Sequence, residues 1–143
     1  MFQLCSKSEY ALLALIELAL VYESNEPLQI REIASRQHIP DRYLEQLLAN
    51  LRREGLVRSQ RGAKGGYLLA RAPWQVSMWD VCQAIQGEDN PEAEVPSPTL
   101  ELTVVREGWQ KAGAAAEKVL RTITLKDLLE TRASQQTPLM YYI

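Results

Sequence analysis

The stretch Leu28–Leu69, LQIREIASRQHIPDRYLEQLLANLRREGLVRSQRGAKGGYLL, decides the fold. It reads as a short helix, a tight turn, a second and basic helix, and a glycine-broken hairpin. That is the plan of a winged helix-turn-helix, a mainly α fold with a small β wing. Ile30, Ile33 and Ala34 carry the first helix, and the chain turns at Gln37-His38-Ile39-Pro40, where the proline disfavours helix in the residue before it. Asp41 is placed to cap the second helix. From Arg42 to Glu54, Leu44, Leu47, Leu48 and Leu51 follow the i, i+3, i+4, i+7 spacing of one buried face, leaving Arg42, Tyr43, Glu45, Gln46, Asn50 and Arg53 outside. Gly55 supplies the stop. Leu56–Ser59 and Tyr67–Leu69 are short enough for strands, and Gly62, Gly65 and Gly66 between them allow the positive φ values of a tight wing.

Charge along this stretch points to a polyanionic partner. The whole chain carries a formal charge of only -2, with a pI near 5.5. Between Ser35 and Arg71, however, eight basic residues face three acidic ones, a local surplus of five. The acidity is gathered elsewhere, in Glu88, Asp89, Glu92, Glu94 and Glu101, within a run that has no lysine or arginine between Arg71 and Arg106. Such a division is expected when one half of a molecule faces phosphates.

Outward from this centre, 143 residues with 46% hydrophobic content suffice for one modest core. No apolar run approaches the roughly 20 residues that span a bilayer, so no membrane partner is expected. Tyr10–Val21 is the most apolar segment, but Glu17 interrupts it and a capping box, Ser6-Lys7-Ser8-Glu9, precedes it; it reads as the first core helix. Two cysteines far apart and no secretory signal fit a reducing cytoplasm.

Four units follow from composition: a DNA-binding winged domain over residues 1–85, an acidic, proline-containing linker over 86–99, a dimerisation helix with a short C-terminal helix over 100–132, and a tail over 133–143. In the long helix Leu102, Val105, Trp109, Ala112, Ala116, Val119 and Ile123 alternate by three and four, the spacing of a coiled-coil seam, and such a stripe needs a partner helix. Ala112, Gly113 and Ala116 keep its middle slim. Thr124-Leu125-Lys126-Asp127 predicts another capping box, opening a helix through Arg132 whose leucines pack back on a core.

Ser6-Lys7 with Tyr10-Ala11, the run Tyr43-Leu44-Glu45-Gln46-Leu47, Gly55-Leu56-Val57, Arg61-Gly62 with Gly65-Gly66-Tyr67, and Ile123-Thr124-Leu125 together resemble the Rrf-two family of bacterial transcription regulators. The resemblance covers nearly the whole chain. That family includes iron-sulfur cluster regulators, nitric-oxide-sensing repressors and a cysteine-metabolism repressor. It implies a homodimer whose long helices cross, each docking on the partner's winged domain.

One departure matters as much. Cluster-binding members carry three closely spaced cysteines before the dimerisation helix, and Gln86–Leu102 holds none. Cys82, on the apolar face of Met78, Val81 and Ile85, reads as a buried and inert thiol. No cofactor is therefore expected, and regulation is expected from a small molecule, a protein partner or oxidation of Cys5. In some members an acidic residue early in the first helix or a histidine at the turn is a ligand. By that resemblance the alternative is an iron-sulfur, redox-sensing site on Glu9, His38 and Cys5, although Glu9 is already accounted for by the capping box.

For DNA, Arg42, Tyr43, Glu45 and Gln46 lie on the first turns of the recognition helix, the part that meets base edges in a major groove. Glu45 suits a cytosine amino group and Gln46 an adenine. Arg61, flanked by Gly62 at the wing tip with Gly65, Gly66 and Tyr67 beyond it, suits a narrow A·T-rich minor groove. Arg53, Lys64 and Lys7 suit phosphates. An enzyme is not expected: His38 is the only histidine, and no H-E-x-x-H, G-x-S-x-G, C-x-x-C or Walker loop occurs. The rival reading is a winged helix that contacts an acidic protein.

Overall fold

The computed structural model describes residues 6–86 and 96–136. Cys5, the Ser6 side chain of the first predicted capping box, linker residues 87–95 and the tail from 137 lie outside the described residues. In chain order the elements are helices α1 (Ser6–Leu20), α2 (Ile30–Gln37) and α3 (Asp41–Arg53), strands β1 (Val57–Gln60) and β2 (Gly66–Leu69), and helices α4 (Met78–Gln86), α5 (Leu100–Leu120) and α6 (Leu125–Gln136).

Helices α1, α2 and α3 enclose the core with α4 and α6. Leu15 and Leu18 of α1 meet Ile33 of α2, Leu44, Leu48 and Leu51 of α3, Val81 of α4 and Leu125 of α6. Each such side chain contributes about 1.5–3 kcal/mol by leaving water. The predicted leucine face of α3 is the buried one. Asp41, however, does not cap that helix. Pro40 occupies the cap position without a side-chain bond, and Asp41 is the first helical residue, where its carboxylate still complements the helix dipole. At the other end Gly55 N–H donates to Arg52 O (3.0 Å) and Leu56 N–H to Leu51 O (2.9 Å). This is a Schellman stop, with Gly55 at φ 79°. Leu56 is thereby spent on the stop, and the strand begins one residue later than the sequence suggests.

The turn between α2 and α3 uses a residue other than glycine. His38 closes α2 at φ 55°, while the buried Ile39 donates its N–H to Ala34 O (3.1 Å). Inside the core, Glu17 is a polar exception: only 6% exposed, it accepts from Arg36 Nη1 (3.1 Å) and Gln37 Nε2 (2.6 Å), joining α1 to the last turn of α2.

β1 and β2 pair antiparallel with Val57 opposite Leu69 and Gln60 opposite Gly66. Leu28 adds a one-residue third strand, giving its N–H to Tyr67 O (3.0 Å) and accepting from Tyr67 N–H (2.7 Å). The glycines of the wing answer two different demands. Gly62 and Gly66 have positive φ, 112° and 155°, as expected, but Gly65 does not. It is required by space, since a Cβ there would stand 2.2 Å from Gln60 O; at Gly66 a Cβ would also stand 2.4 Å from Leu28 O.

Among the described residues, two reciprocal capping boxes complete the frame. The predicted one is present: Thr124 N–H donates to Asp127 Oδ2 (2.9 Å), and Asp127 N–H to Thr124 Oγ1 (3.1 Å). Ser77 and Asp80 form a second, at the start of α4. Helix α5 is capped by Thr99 and ends at Leu120, so Ile123 does not extend the apolar stripe as expected. Its carbonyl instead accepts from Met78 N–H (2.8 Å), and Leu125 N–H donates to Val76 O (2.9 Å), stitching the turn after α5 to the lead-in of α4. Arg121, at the same turn, stacks over the Trp79 ring at 5.4 Å.

Candidate nucleic-acid interface

Packing the leucine face of α3 inward leaves Arg42, Glu45, Gln46, Arg52 and Arg53 exposed on the opposite side. Arg52 Nη1 reaches Ser59 Oγ (3.2 Å), a bond from the recognition helix to the first wing strand. Arg53 is drawn along its own helix to Asn50 Oδ1. Tyr43 is half-buried, packed against the core with its ring edge-on to Tyr10 at 5.4 Å, so only part of it faces outward.

Between α3 and the wing lies an open cleft of about 650 Å³, lined by Asp41, Glu45 and Arg52 from α3, by Ser59–Gly62 and Gly65–Tyr67 from the wing, and by Gln29–Arg31 from the start of α2. It brings together Glu45, Arg61, Gly62, Gly65, Gly66 and Tyr67 of the expected contact residues. Lys7, Arg42, Gln46, Arg53 and Lys64 are exposed but do not line it. Gly65 is buried beneath the wing, so its part is to shape the turn. Arginines and carboxylates both line the cleft: Arg31, Arg52 and Arg61 suit anionic oxygens, and Asp41 and Glu45 suit amino donors. Arg31 lies outside the basic run from Ser35 to Arg71 by which the sequence marks this face. Its signal is nonetheless in the pattern, on the polar face of a helix whose Ile33 and Ala34 are buried.

A model of the Rrf2 (Rrf-two) family, described as an iron-dependent transcriptional regulator, matches residues 4–131. The chain belongs to the Rrf2 family. It is 38% identical over 136 residues to an HTH-type transcriptional regulator of Synechocystis sp., covering 94% of this chain and 92% of that protein. With the HTH-type transcriptional regulator CymR of Bacillus subtilis it shares 34% identity over 145 residues, 99% of each. Among solved structures, IscR of T. potens superposes with a TM-score of 0.77 at 34% identity, covering 94% of this chain and 91% of that one. CymR of B. subtilis, the global cysteine regulator, gives 0.74 at 33%, covering 92% and 98%. This Rrf2 protein is thus a winged-helix transcription regulator and not an enzyme. No helix among its described residues is long and apolar enough to cross a membrane.

The family description implies iron, and the donor set bears on that. Residues 83–143 contain no cysteine. Cys82 is buried on α4, as expected, while Glu9 and His38 are exposed. Among the described residues no three His, Cys, Asp or Glu side chains stand where they could share a metal ion. A three-cysteine cluster does not fit this chain.

Proposed function

We propose that this Rrf2 protein acts as a homodimer on a palindromic operator, laying α3 in the major groove and the wing in the adjoining minor groove. The observation that carries this reading is the cleft, in which Glu45 of the recognition helix and Arg61 of the wing share one surface. A helix entering the major groove meets base edges with its first turns, where Arg42, Glu45 and Gln46 are exposed. Glu45 then accepts from a cytosine amino group, Gln46 pairs with an adenine, and Arg61 enters an A·T-rich minor groove. Lys7, Arg53 and Lys64 hold phosphates.

Dimerisation rests on α5. Val105 (54% exposed), Trp109 (58%) and Val119 (57%) form with Ala112 an apolar stripe open to solvent along this 21-residue helix, about 30 Å long. A second copy of the helix covers it. Two-fold symmetry in the protein then requires it in the operator, with half-sites about 10 bp apart or a multiple of that.

Binding to operator fragments over a salt series tests the reading. Duplex binding should weaken steeply with salt as counterions are released, which a protein-contact module would not show. Glu45→Ala should relax the base preference at one position of each half-site, losing about 1–3 kcal/mol of discrimination. Arg61→Ala should weaken binding most where the flanks are A·T-rich. Equal loss on all sequences for both variants would refute these contacts.

A further inference from the structure

Folding does not account for Arg31. It stands exposed on the first turn of α2, where a positive charge opposes the helix dipole, and it makes no hydrogen bond or ion pair among the described residues. It lines the cleft from the α2 side, while Arg61 lines it from the wing side. The two are carried on one frame, because Leu28 exchanges both backbone hydrogen bonds with Tyr67, and Gly66 lets that strand approach. Arg52, bonded to Ser59, ties α3 to the same frame.

On a duplex, a single sugar-phosphate strand separates a major groove from the minor groove beside it. If α3 occupies one and the wing the other, that strand passes between them. The cleft is where it lies. We infer that Arg31 is a phosphate-binding residue that grips this strand from the α2 side and so sets the register in which α3 and the wing meet their grooves. The inference rests on the groove assignment above. Planar guanidinium groups suit phosphate oxygens, and such contacts position a protein without reading sequence. Asp41 and Glu45, in the same cleft, belong to α3, the helix assigned to the major groove.

The experiment is operator binding by the full chain at about 50 to 200 mM salt, for the unaltered protein, Arg31→Ala and Arg31→Lys. Arg31→Ala removes one phosphate contact from each protomer, two per dimer, which lowers the salt slope by about two, so its affinity deficit should shrink about tenfold across that range. Base preference should stay the same, and Arg31→Lys should keep most of the slope. Arg31→Lys should melt like the parent and Arg31→Ala no lower, since Arg31 makes no hydrogen bond or ion pair among the described residues and its charge opposes the helix dipole. An unchanged slope in Arg31→Ala, or a changed base preference, overturns the assignment of Arg31 alone. A shallow slope in the unaltered protein overturns the DNA reading with it.

Discussion

Glu17→Ala should destabilise the protein by about 2 kcal/mol, through the joint between α1 and α2. Glu17, only 6% exposed, accepts from Gln37 Nε2 at 2.6 Å and from Arg36 Nη1 at 3.1 Å. Hydrogen bonds to a charged group contribute about 1.5–3 kcal/mol, and stripping one partner from a fully buried ion pair costs about 3–5 kcal/mol. The lower figure applies here, because the Arg36 side chain is half exposed and returns to water when its partner is removed. Glu17→Gln should cost about half as much, since its amide oxygen still accepts from Gln37. With a denaturant slope near 2 kcal/mol/M, the alanine variant's urea midpoint should fall by about 1 M. Because Arg36 and Gln37 form the last turn of α2, just before His38 and the recognition helix, operator affinity should fall as well. An unchanged or raised midpoint in Glu17→Ala would refute the reasoning, because the carboxylate would then cost as much to bury as its partners return.

On α5, replacing Val105 and Ala116 by glutamate should convert a dimer into monomers in sedimentation equilibrium; a monomer before and after the change would show that the stripe has another purpose. His38→Gly should raise stability by about 0.5–1 kcal/mol in urea melts, because the left-handed φ of 55° strains a residue with a Cβ and not glycine. At α6, the Thr124 backbone and hydroxyl bonds hold the Asp127 carboxyl below its ordinary value of 3.8. Its cap therefore contributes fully above the ordinary carboxylate range and is lost as pH falls through the lowered value. Asp127→Asn should abolish that acid-side loss of stability in melts compared across pH, and Thr124→Ala should remove only part of it, because the larger backbone bond remains.

The sequence alone determined the helix-turn-helix, the wing and the family, because these rest on local rules: leucines at helical spacing, a glycine stop, a glycine-rich hairpin and a Thr-x-x-Asp box. Glu17 shows where such rules end. In the sequence it looks like a polar break in an apolar helix; only packing α1 against α2 brings it to Arg36 and Gln37, 19 and 20 residues away. Tyr43 lies on the outer face by counting, yet its ring packs edge-on against Tyr10 and is half-buried. The apolar spacing carries the stripe on to Ile123, but the helix stops at Leu120 because the following turn bonds to residues 76–78. The cleft itself joins α2, α3 and the wing, all within Leu28–Leu69, but periodicity does not tell how these elements turn toward one another. Side-chain periodicity specifies which face each helix buries, and only the closing of the tertiary contacts decides which exposed groups become neighbours.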